Sequence, residues 1–321
     1  MQLNEITLEL TQRCPNRCIH CSSLSCPEAM TQLPLDIAKE VIDDAAELGA
    51  GTICISGGEP FVYDSLLEVV EHIHALHLQT YIYSSGVTFV DGKPSSVPVS
   101  ILQTLVGKIE KLIVNVEAAD TETYDVIMGT SFGGFEMMKE TIRHAVELGI
   151  VVEAHMVPMK INFRLIPEVI GLCRSLGVSR VSFLRLVNQG RTALNQEMTL
   201  LSADEYSDVQ DKLLAIRNYY KDGIRLGIPF QSCSEKSNCL AGTVKLDIRY
   251  DGNVYPCEAF KDDMLVIAES LEPDNVKTKQ LKKIYSDSKY INKIRFLLKR
   301  FQRVDTCETC MSQYYRLKDE H

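Results

Sequence analysis

From Glu5 to Leu184 the chain alternates short apolar or β-branched runs with longer amphipathic stretches, and few folds accept that rhythm. The runs Glu5–Leu10, Thr52–Ile55, Gln79–Ser84, Lys111–Val116, Val151–Val157 and Arg180–Leu184 read as strands. Between them, Leu35–Leu48, Ser65–Ala75, Phe135–Leu148 and Arg164–Leu176 carry apolar residues at helical spacing. Gly49, Gly149 and Gly177 stand where a left-handed helix terminus prefers glycine. The pattern predicts an α/β fold, a partial (βα)6 parallel barrel.

After about residue 200 the rhythm changes. Ser202–Tyr220 reads as a helix with a Ser N-cap and Glu205 three residues on. Lys245–Tyr250 and Asn253–Cys257 read as a hairpin turned by Asp251-Gly252, and Lys279–Arg300 as a basic helical tail. The expected division is 1–200 for the barrel and 201–321 for a smaller α+β extension.

Composition narrows the function. The net charge of -9 and the lack of a Lys/Arg stripe, apart from Lys299–Arg303, argue against a nucleic-acid partner. The N-terminus has no charged leader before an apolar stretch, and no apolar run reaches membrane-spanning length, so a soluble cytoplasmic protein without membrane contact is expected. Eleven cysteines in a reducing compartment, an odd number, do not suggest a disulfide framework. Metal sites and buried thiols remain.

Cys14, Cys18 and Cys21 follow the first strand in CPNRCIHC, where parallel barrels place active-site loops. Three thiolates can hold three irons of a 4Fe-4S cluster and leave the fourth iron open to an outside ligand. A zinc knuckle or an electron-transfer ferredoxin stays open as a reading, because Cys26 offers a fourth thiolate. The second feature is SGGEP, Ser56 to Pro60, directly after the apolar run TICI. Its glycines let backbone approach a ligand, and its acid can meet an ammonium group.

With the C-x3-C-x2-C triplet and the GGE turn on successive strands, the chain resembles the radical S-adenosylmethionine (SAM) superfamily. The resemblance extends through ADTETYDVIMG and FLRLVNQGR, with Met128 standing where relatives commonly carry Arg. It implies that Cys14, Cys18 and Cys21 are iron ligands and that Gly57, Gly58, Glu59 and Pro60 bind the methionine end of SAM. It further implies that His20, or Ile19, contacts adenine. Ser84, Ser85 and Gly86, with Asn115 and Glu117, would border the ribose and carboxylate. Arg185, Arg191 and Glu117, at predicted strand ends, are candidates for SAM or substrate binding or for a structural ion pair.

Cys239, Gly252 and Cys257 fit the C-x(9 to 15)-G-x4-C pattern of SPASM and twitch extensions, and Cys307 and Cys310 supply a closing pair. The resemblance implies a second, auxiliary 4Fe-4S cluster on these four thiolates. No cysteine follows Cys310, which matches the shorter twitch form. Cys54 and Cys173 read as small core residues, and Cys233 as a loop thiol that can replace Cys239 or donate hydrogen to a substrate radical.

The chemistry implied is reductive cleavage of SAM at the first cluster and hydrogen abstraction from a substrate C–H bond, with a reduced flavodoxin or ferredoxin as electron donor. Oxidative modification of a ribosomally made peptide is the leading expectation. Dehydrogenation or epimerisation of a small polyol or aminosugar is the alternative, and a non-catalytic zinc or electron-transfer protein the alternative from another class.

Overall fold

The β-branched runs form strands β1 (Glu5–Glu9), β2 (Thr52–Ser56), β3 (Gln79–Ser84), β6 (Lys111–Asn115), β7 (Val152–Met156) and β8 (Arg180–Phe183). A hairpin of β4 (Val87–Val90) and β5 (Lys93–Ser96) is inserted after β3. These come from a computed structural model that describes residues 2–231, 239–261 and 271–300. The six principal strands lie side by side in chain order, each parallel to the next. Crossovers of one hand between neighbours put their helices on one face of the sheet.

Side-chain alternation confirms which face that is. Ile6, Leu8, Ile53, Ile55, Leu112, Val114, Val152 and Ala154 enter one apolar core with side chains of α1 (Leu35–Glu47), α2 (Leu66–Ala75), α5 (Gly134–Glu147) and α6 (Ile166–Ser175). The intervening positions point the other way, and most of them, among them Thr7, Glu9, Tyr83, His155 and Ser182, are polar. One apolar face under helices and one polar face turned inward describe the wall of the expected partial barrel.

The C-terminal part continues this wall. β9 (Ile224–Leu226) pairs in parallel with β8, and β10 (Lys245–Ile248) pairs in parallel with β1. The expected hairpin forms around Asp251-Gly252, with β11 (Val254–Tyr255) shorter than the sequence suggested. The capping box at Ser202 and Glu205 starts the helix Ala203–Tyr220 as read. The basic tail resolves into two helices, Leu281–Asp287 and Lys289–Arg300, separated by an extended Ser288. Cys54 and Cys173 are both buried, as expected of small core residues. Cys54 lies on the inner face, where its thiol hydrogen-bonds Tyr83, and Cys173 lies among the side chains under the helices. Among the described residues no helix is long and apolar enough to cross a membrane.

Candidate active site

The cysteine loop runs between β1 and α1, and its backbone is gripped from the end of β2, the end of a helix and the segment beyond β8. From the β2 end, Gly58 N donates to Thr11 O at 2.6 Å and Glu59 N to Arg13 O at 2.9 Å. At the C-terminus of α4 (Thr121–Met128), Met128 O accepts from Arg17 N at 3.0 Å and Ile127 O from Ile19 N at 2.9 Å. Beyond β8, the Arg191 guanidinium donates to Cys18 O and Ser25 O, both at 2.7 Å, and its backbone N–H to Cys21 O at 3.0 Å. Close approach demands glycine at two of these contacts. A Cβ on Gly58 would lie 2.2 Å from Arg13 O, and one on Gly190, whose φ is +59°, 2.5 Å from Cys21 O. The position left open for Arg191 is thereby described: it holds the loop's carbonyls.

Cys14 is buried and Cys18 and Cys21 are half-buried. Burial, then the neighbouring thiols, pushes Cys14 and Cys18 well above the ordinary thiol range, while Arg191 pulls Cys18 down. Three adjacent thiols in such a place need a positive partner before they ionise, and iron is such a partner. Among the described residues, no three Cys, His, Asp or Glu side chains converge on a single ion. A cluster asks for something else, thiolates spread over separate irons. Cys26, the spare thiol of the loop, turns its side chain to the exposed Glu28. Met128 packs its sulfur 3.7 Å from Cys18 Sγ.

Glu59 is fully buried, and its carboxylate accepts from Ser84 Oγ at 2.7 Å, Ser85 N at 2.8 Å, Ser85 Oγ at 2.6 Å and Phe61 N at 3.3 Å. Side chains expected to meet two ends of SAM thus bind each other, tying the end of β2 to the end of β3. Pro60 opens the short helical turn after Glu59. Burial pushes the Glu59 carboxyl up to about 7 from 4.5, against the pull of its Ser85 and Ser84 donors. A raised folded value means that the stability it contributes is complete below the unfolded value and is lost as pH rises through about 7. Glu59→Gln lacks this titration. The stability difference between the two proteins is expected to move by about 3 kcal/mol in the variant's favour from about pH 4.5 to about pH 8. Urea denaturation at both pH values measures it, and a pH-independent difference refutes it.

Around this frame lie buried polar atoms that have no hydrogen-bond partner among the described residues. His20 Nε2 is 3.5 Å from Glu117 Oε1, but His20 Nδ1 has no hydrogen bond. Glu117 Oε2 accepts from Val157 N at 2.9 Å, leaving Oε1 without one. Both amide atoms of Asn16, between Cys14 and Cys18, are also unpartnered. Sequence reasoning passed over Asn16, whose only signal was its place inside the triplet. Donors and acceptors left over beside three thiols fit a ligand that offers both, as SAM does. Asn115 ends β6 level with His155 on β7.

Cys239 and Cys257 pack into one small apolar cluster with Ala241, Tyr255, Phe260 and Tyr290. The structure therefore brings together two of the four thiols expected to hold the auxiliary cluster. Cys233, Cys307 and Cys310 lie outside the described residues.

The sequence profile of the Radical SAM superfamily matches residues 8–173. The chain belongs to this superfamily. A second profile, SPASM, an iron-sulfur cluster-binding domain, matches residues 239–311. The chain is thus a radical SAM enzyme, with 4Fe-4S clusters and SAM as its cofactors. It is 26% identical over 295 residues to the PqqA peptide cyclase of Rhizobium meliloti, covering 89% of this chain and 74% of that protein. It is 22% identical to the probable GTP 3',8-cyclase of Methanothermobacter thermautotrophicus, covering 88% of this chain and 92% of the relative. Its fold matches that of Streptococcus suis SuiB bound to the precursor peptide SuiA, with a TM-score of 0.73 at 16% identity over 97% of this chain and 69% of SuiB.

Proposed function

We propose that this radical SAM enzyme oxidises a carbon of a ribosomally made peptide. The observation that carries the reading is similarity over 89% of the chain to a protein named as a peptide cyclase, and the fold of a protein bound to its precursor peptide supports it. Cys14, Cys18 and Cys21 would hold the SAM-binding cluster, and Cys239, Cys257, Cys307 and Cys310 the auxiliary one. When bound, the cluster and SAM supply hydrogen abstraction from an unactivated C–H bond. The protein's own contribution is to fix the cysteine loop through Gly58, Arg191 and the α4 end, and to offer donors and acceptors from His20, Glu117 and Asn16. The polar inner wall receives the substrate and keeps its reacting carbon from bulk water.

The test starts with anaerobically reconstituted protein, SAM and dithionite, which is expected to form 5'-deoxyadenosine. Peptides encoded beside the enzyme's own gene are then added, and mass spectrometry is expected to show one that loses two hydrogens. Oxidation of none of them, with oxidation of a polyol or aminosugar instead, would overturn the peptide reading. That alternative draws on the match to a relative named for a small-molecule cyclisation, across 92% of the relative's length.

A further inference from the structure

Where β1 and β10 run side by side, Glu5 is in register with Lys245 and Thr7 with Asp247, so all four side chains share the inner face. Lys245 Nζ lies 2.8 Å from Glu258 and 3.9 Å from Glu5, and Thr7 donates to Glu258 at 2.7 Å. Nearer the strand ends, Lys261 donates to Glu9 and, at 3.3 Å, to Ser23 Oγ, while Ser23 donates to Glu9 at 2.8 Å. Ser23 closely follows Cys21, and Lys261 follows Cys257 by one short helical turn, so the group is tied to both cysteine sets.

Asp247 is the member of this group left without a bond. It is fully buried, and among the described residues neither carboxylate oxygen has a hydrogen-bond partner. Lys261, already bonded to Glu9, is 3.7 Å away. On another strand of the same face, Ser182 Oγ is likewise buried without a partner. The carboxylates of Glu5, Glu9, Asp247 and Glu258 thus meet two ammonium groups, those of Lys245 and Lys261. Burial pushes the Asp247 carboxyl well above its ordinary range, against the pull of Lys261, and a second cation beside it would restore the anion. Folded proteins seldom keep a buried carboxylate so poorly compensated unless a ligand completes it.

We propose that Asp247 anchors a substrate subsite on the inner face between β1 and β10 that takes a cationic side chain of the peptide. The inference rests on the peptide reading and names what part of the peptide is recognised. Equilibrium dialysis of the reconstituted, SAM-loaded enzyme tests it with N-acetyl-lysine amide as probe and N-acetyl-norleucine amide as its uncharged control. The lysine probe is expected to bind at least about tenfold more tightly, and Asp247→Asn to bring that ratio close to one. Removing a buried carboxyl that lacks hydrogen-bond partners is also expected to raise the melting temperature of the variant, whereas loss of a merely structural ion pair would lower it. Asp247→Ser serves as the second variant should the asparagine protein not fold. Equal binding of the two probes to the wild type, or an undiminished ratio in the variants, overturns the subsite. The two readings fail separately: absent peptide oxidation with retained selectivity for the lysine probe sinks the peptide reading, and unselective binding sinks this one.

Discussion

Exchanging Cys18 for alanine is expected to abolish 5'-deoxyadenosine formation and to lower the iron content of reconstituted protein from about eight to about four atoms per chain. Cys18 sits at the centre of the grip on the loop: its carbonyl is held by Arg191 and its sulfur packs on Met128. In the proposed assignment, removing the thiol would leave Cys14 and Cys21 as two ligands, too few to retain a cluster with one open iron. The loss of rate should exceed about a thousandfold, since without the cluster nothing drives cleavage of SAM. Two other cysteines serve as comparisons. Cys26→Ala should keep all the iron, because that thiol is directed at Glu28, and Cys173→Ala should keep it because that thiol is a core side chain. Iron loss equal in all three variants would show that the triplet has no special role, and undiminished iron in Cys18→Ala would end the assignment.

The barrel was legible because its signal is local. Each inner strand is a β-branched run, and each helix behind it repeats its apolar residues at helical spacing, so β1 to β3 and β6 to β8 declare themselves one at a time. The β4–β5 hairpin was missed although Asp91-Gly92 gives the same turn signal that was used at Asp251-Gly252. Non-local pairing left no trace in the sequence. Nothing in Lys245–Ile248 says that it will lie beside β1 and bring Asp247 onto the barrel's inner face, nor that Arg191 will reach back to carbonyls of the cysteine loop. The face taken by Cys54 could be read from alternation alone. TICI looks uniformly apolar, yet alternation places Ile53 and Ile55 in the core and turns Cys54 toward Tyr83. In the candidate site, the cysteines and GGE were found through spacing, whereas the mutual binding of Glu59 with Ser84 and Ser85 depends on two loops meeting in space.

Gly58→Ala should destabilise the protein by about 2–4 kcal/mol and impair cluster assembly at the same time. The added Cβ would lie 2.2 Å from Arg13 O and 2.6 Å from Gln12 O, and backbone cannot turn aside as a flexible side chain would. Relief requires the β2 loop to separate from the cysteine loop. That separation stretches the bonds from Gly58 N to Thr11 O and from Glu59 N to Arg13 O, and through Glu59 it drags on Ser84 and Ser85. One methyl group therefore disturbs the cysteine loop and the β2–β3 connection together. Gly51→Ala is the matched comparison: no heavy atom lies within 4 Å of its added Cβ, so its stability should stay within about 0.5 kcal/mol of the parent. Chemical denaturation of both variants without iron isolates the steric effect, and iron retention after reconstitution measures its consequence. If Gly58→Ala matches Gly51→Ala in both measurements, the two loops do not press together as described, and the glycines of the GGE turn owe their place to something other than contact with the cysteine loop.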